Sequence, residues 1–106
     1  MSAPMESPNR LSVLQALRAM AEGSLTSEAL TQACLERIEE RNGQVLAFTA
    51  VDAGWALAQA RAADRGGGAP LRGIPFAVKD VLDTRHLATA YGSPIYAGHR
   101  PVADAA

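Results

Sequence analysis

Disulfides, membrane anchors and a strongly charged surface are all missing from what this chain can build. It has one cysteine, Cys34, which excludes an internal disulfide framework and fits a reducing compartment. Its formal net charge is only −1, with acids and bases intermixed, so neither a basic stripe for nucleic acid nor a polybasic membrane patch is expected. The first ten residues, MSAPMESPNR, lack an apolar signal core, and no run of about eighteen apolar residues occurs. A cytoplasmic location is the expectation. Aromatic residues are scarce too: Phe48, Trp55, Phe76, Tyr91 and Tyr96 are the full set. Twenty-two of the residues behind the 48% hydrophobic content are alanines, so a chain of 106 residues is thinly supplied for a core of its own. Lysine is the sharpest scarcity. Nine arginines accompany a single lysine, Lys79.

What is present reads first as helices. Residues 1–9 carry two prolines and are expected to form a flexible tail, with residues 10–106 as one folded part. Ser12 followed by Gln15 is a capping-box pattern, with Leu11 placed to staple the first turn. Leu14, Leu17 and Ala21 share a face, Val13 and Met20 flank it, and Gly23 supplies a stop. A second helix is predicted from Thr26 or Ser27, with Leu30, Ala33, Cys34 and Ile38 as its apolar stripe and Asn42-Gly43 as its end. Cys34 on that stripe reads as an inert core thiol. VLAFTAVD, 45–52, is expected as a short strand, after which Asp52 caps an alanine-rich helix to about Arg65 with Trp55 as core anchor. RGGGAP is a loop, and IPFAV a buried strand with Pro75 near its start. The closing RPVADAA has the pattern of a helix beginning.

Most motifs that carry chemistry fail. GAPLRGI, 68–74, has two glycines at P-loop spacing, but Ile74 occupies the lysine position and a strand is expected next. There is no G-x-G-x-x-G. His86 and His99 have no Cys or acid cluster at metal-ligand spacing, so neither metal nor cofactor is expected. Ser12, Ser24 and Ser27 are accounted for by helix starts, and Ser93, in AYGSPI, lacks the G-x-S-x-G elbow. That leaves Lys79, at the end of GIPFAVKD. A strand-end lysine reaching solvent, or pairing with Asp80 or Asp83, is one account of it. Arginine elsewhere serves as the surface cation, and a property arginine lacks is a proton that a desolvated amine can give up. A general base, or a Schiff-base amine, are the functional alternatives.

The stretch GGGAPLRGIPFAVKDVLDTRHLATAYGSPIYAG, 66–98, resembles the amidase signature family. There, a G-[IV]-P-x-x-[VI]-K-D segment is followed by T-x-x-G-S, matched by Thr89, Gly92 and Ser93. The upstream LTQACLERIEERN and VLAFTAVD, and the closing PVADAA, are similar to the same family, so the resemblance covers roughly residues 24–106. It implies an α/β fold, of which this chain forms the leading helices and first strands of an α/β/α sandwich. It also implies hydrolysis of a carboxamide C–N bond by a Ser–cis-Ser–Lys triad, with Lys79 as base, Asp80 positioning the loop, and a small-molecule amide as substrate. The family's Gly/Ser-rich signature carrying both serines has no counterpart in these 106 residues. On that basis the chain alone is expected to be inactive, the N-terminal fragment of an amidase domain. The alternative is a non-catalytic remnant or interaction module. Two strands with unpaired edges, together with uncovered apolar faces, further lead us to expect poor stability or self-association of the isolated chain.

Overall fold

A computed structural model of the chain describes residues 7–66, 71, 73–79, 85, 87 and 100–105. It divides into two units, one of residues 1–47 and 52–75, the other of residues 48–51 and 76–106. A single 3₁₀ turn, Pro8–Arg10, leads in the first unit, followed by α1 (Val13–Glu22), α2 (Ser27–Val45) and α3 (Ala53–Arg65).

The start of α1 follows from its cap. The Ser12 hydroxyl accepts from the Gln15 N–H at 3.1 Å, and the Gln15 side chain accepts from the Ser12 N–H at 2.8 Å. Two donors that an open helix end leaves unpaired are thereby satisfied reciprocally. Gly23 ends the helix in the left-handed region, at φ +83°, where glycine carries no Cβ penalty. The buried face is not the predicted one. Ala16 and Met20, one turn apart, point into the core, while Leu14 is 67% exposed. With so few large residues available, the small Ala16 lets neighbouring elements approach closely and Met20 fills the remaining space.

The core of this unit is Ala16, Met20, Leu25 and Leu30, with Leu11, Ala19, Cys34 and Ile74 packed around it. Burial pushes the Cys34 thiol up from its ordinary value, which suits the inert role expected of it. Against α2 lie α3 and the 3₁₀ turn. The contribution of α3 is small side chains: Ala60 is 4% exposed, whereas Trp55, expected as an anchor, is 45% exposed. The N-cap of α3 is as predicted, Asp52 Oδ1 accepting from the Trp55 N–H at 2.9 Å.

Among the described residues there is no strand, which corrects the α/β expectation. Both predicted strands fail, each for its own reason. The first begins at Val45, but α2 runs past Asn42-Gly43 and includes Val45, ending only at Leu46 in the left-handed region, φ +55°. An internal glycine weakens a helix by about 1 kcal/mol, which does not stop one already propagating over four turns. The second, IPFAV, is not buried: Phe76 is 85% exposed and Val78 45% exposed. A strand exists through ladder hydrogen bonds to a partner, and residues 74–79 form neither ladder nor helix. The instability argument from unpaired strand edges falls with the strands.

In the second unit the Arg85 N–H donates to Asp104 Oδ1 at 2.9 Å. The helix expected from RPVADAA is not formed over residues 100–105. Asp104, read as an acid of its first turn, instead closes a contact nineteen residues back along the chain. Among the described residues, no helix is long and apolar enough to cross a membrane. Residues 1–6 of the expected tail lie outside the described residues.

Candidate functional site

The motif that singles out Lys79 begins in a turn. The Ile74 N–H donates to the Leu71 carbonyl at 2.8 Å, and between them Gly73 sits at φ +82°. Only glycine takes that conformation without strain. A second demand falls on the same residue: a Cβ at position 73 would lie 2.5 Å from Ser27 Oγ and 2.7 Å from the Ala63 Cβ. Gly73 is therefore wedged between the first turn of α2 and the last turns of α3. Ile74 follows it into the core.

Ser27 meets Gly73 from the other side. It is completely buried, and its hydroxyl donates to the Gly73 carbonyl at 2.5 Å. Its backbone N–H donates to Asp64 Oδ1 at 2.7 Å, and the next N–H, of Glu28, donates to Asp64 Oδ2 at 3.0 Å. The third free donor of the helix, the Ala29 N–H, goes to the Thr26 hydroxyl at 3.1 Å. The N–H groups of Ser27, Glu28 and Ala29 are thus all partnered, and the Asp64 carboxylate sits where the helix dipole favours negative charge. Beside it, Arg61 of α3 pairs with Glu28 of α2 across two partly exposed side chains, which adds little to stability.

Sequence reasoning placed Ser27 at a helix start and passed over Asp64 entirely. Two signals were available. Thr26 and Ser27 form a tandem of hydroxyls where one cap suffices, leaving the second for another partner. An acid in the last turn of α3 opposes that helix's own dipole, so its benefit had to lie elsewhere.

Beyond Pro75 the motif is exposed at Phe76, Ala77, Val78 and Lys79. A lysine at the end of a buried strand is thus not what forms. Asp80 and the loop residues Thr89, Gly92 and Ser93 lie outside the described residues, as do Asp83, His86 and His99. Ser12 is an N-cap, and the Ser24 hydroxyl donates to the Ala19 carbonyl at the end of α1. Among the described residues no group of three or more His, Cys, Asp or Glu side chains is arranged to hold a metal. A hollow of about 260 Å³ between the 3₁₀ turn and α2 is bordered by Arg10, Glu36, Arg37 and Glu40. Arg37 and Glu40 pair with each other there at 3.2 Å, as on an ordinary solvated helix face.

Comparison with known proteins bears on the same residues. The Amidase family model matches residues 29–106, which includes the whole of GIPFAVKD. The glutamyl-tRNA(Gln) amidotransferase A-subunit of Roseiflexus castenholzii is 44% identical over 100 residues, covering 91% of this chain and 20% of that protein. The proteins of the same name from Chloroflexus aggregans and Salinispora arenicola are 48% identical over 96 residues and 43% identical over 99. These alignments cover 86% and 89% of this chain and 20% of each relative. The chain therefore spans about a fifth of the length of the curated relatives it matches.

Proposed function

The chain belongs to the amidase family, and from that premise we propose that its residues supply the lysine base of an amide-hydrolysing site. The observation that carries this is Lys79 itself, the one lysine among ten basic residues, closing a motif that lies inside the family match. A neutral Lys79 amine takes a proton, through a bridging serine, from the serine whose oxygen attacks the amide carbonyl. The new C–O bond forms, the C–N bond breaks, and the leaving amine departs with a proton returned along the same path. Water then hydrolyses the acyl-serine and restores the hydroxyl. Arginine cannot substitute, because its guanidinium keeps its proton.

Both serines, and the backbone donors that stabilise the oxyanion, would come from polypeptide outside these 106 residues, since no G-G-S-S-G stretch occurs within them. On this reading residues 10–106 are one part of a larger amidase domain, and Asp80 orders the loop beyond the lysine. The substrate is a small-molecule carboxamide. The shared name of the relatives favours a specific case, one component of a glutamyl-tRNA(Gln) amidotransferase, in which the amide would serve as nitrogen donor. A lone, half-buried thiol fits a cytoplasmic setting.

The test is ammonia release from a carboxamide such as glutamine by the full-length protein that carries these residues. Lys79→Ala is expected to lower kcat by about 10²-fold or more, and Lys79→Arg not to restore it. Activity of either variant within two-fold of the parent would remove Lys79 from the base role.

A further inference from the structure

We infer that Ser27 is a positioning residue for the segment that carries Lys79, and that Asp64 holds Ser27 in place. The inference rests on the base reading for its effect on activity, but its structural part stands on separate contacts. The Ser27 hydroxyl has no capping duty to perform. Thr26 takes the Ala29 N–H, and Asp64 takes the N–H groups of Ser27 and Glu28. What remains for a fully buried hydroxyl is the Gly73 carbonyl, to which it donates.

The other side of the contact is equally dedicated. Gly73 combines a positive φ with a fit so close that any side chain would strike Ser27 and Ala63. Three remote stretches thus meet at one point: the last turn of α3 through Asp64, the first turn of α2 through Ser27, and the opening residue of GIPFAVKD. Lys79 follows Gly73 by six residues, a span of at most about 22 Å even when fully extended. Ile74 is pinned in the core and Pro75 has its φ fixed by the ring, so little freedom is left in the first third of that tether. The latch therefore sets the origin from which the lysine reaches its site, and small displacements of a reacting group lower turnover steeply.

The experiment uses the full-length protein and four variants: Ser27→Ala, Asp64→Ala, Lys79→Ala and Leu30→Val. Leu30→Val perturbs the same core without touching the latch. Ser27→Ala is expected to lower kcat about ten-fold or more with KM within two-fold, and to speed hydrogen exchange at the Ile74 amide. Asp64→Ala is expected to do the same in smaller measure and to unprotect the amides of Ser27 and Glu28. Leu30→Val is expected to leave kcat per folded molecule unchanged. An unchanged kcat in Ser27→Ala, or an equal loss in Leu30→Val at a comparable fall in Tm, would overturn the positioning role. Should Lys79→Ala retain full activity, the base reading fails by itself. The latch is then judged by Ile74 exchange alone, where faster exchange in Ser27→Ala upholds it and unchanged exchange rejects it.

Discussion

At its amino-terminal end α2 has the N–H groups of Ser27, Glu28 and Ala29 partnered, a serine fully buried, and two remote chain segments tied to it through Asp64 and Gly73. At its carboxy-terminal end the same helix closes on Leu46, a non-glycine residue at φ +55° with Val45 and Leu46 both largely exposed. One end is held by tertiary contacts. The other is closed by a local cap that a leucine fills poorly. The difference shows where packing has constrained this unit: around the origin of GIPFAVKD, and not around the turn toward residues 48–51. The tightly held end is also the one that meets Gly73, the start of the lysine-bearing motif.

That contrast can be broken most forcefully at position 73. Gly73→Ala must place a methyl against Ser27 and Ala63 in a left-handed backbone, and is expected to destabilise by about 3 kcal/mol, read from the urea midpoint. A loss under about 1 kcal/mol would mean that the amino-terminal end yields easily and the contrast is overdrawn. Asp64→Ala removes a charged acceptor from two N–H groups. Water can replace part of it at a partly exposed site, so the expected loss is about 1–2 kcal/mol.

The opposite end should respond with the opposite sign. Leu46→Gly relieves the left-handed strain while surrendering little burial, and is expected to stabilise by about 1 kcal/mol. Since the two ends of a 19-residue helix lie well over about 10 Å apart, Leu46→Gly combined with Asp64→Ala should be additive to within about 0.5 kcal/mol. A larger coupling would show that the ends communicate along the helix. The smallest expected effect concerns Cys34, packed against the core between them. Burial raises its thiol above the ordinary value, so less thiolate is present near neutral pH than in the unfolded chain. Alkylation should accordingly be slower in the folded protein than in urea, with the gap narrowing as pH rises through the raised value. Equal rates at pH 7 would place Cys34 outside the packed region.

Local rules carried much of the helical part. The capping box of Ser12 and Gln15, the stop at Gly23, the Thr26 start of α2 and the Asp52 cap of α3 are all visible in short-range residue patterns. They were legible because a cap is a contact between residues three apart, which sequence spacing specifies directly. Which face of α1 turns inward was not legible. Leu14 is more hydrophobic than Ala16, yet the closer approach went to the smaller residue. The strands were misjudged for a related reason. Apolar, β-branched composition favours a strand only where a partner accepts its hydrogen bonds, and composition says nothing about whether the partner is there.

The candidate site divides along the same line. Lys79 stands out in the sequence as a lone lysine closing an apolar run, and the family match includes that position. Its exposure does not, because burial belongs to surroundings and not to a run of letters. The sequence by itself determined the helix starts, the glycine at position 73 and the single lysine that closes GIPFAVKD. Only the tertiary structure decided that Asp64 caps a helix thirty-seven residues away from it, and that a serine hydroxyl is spent on Gly73. Hydrogen bonds between remote residues leave no periodic trace in a sequence, since their partners are chosen by how helices pack and not by spacing along the chain.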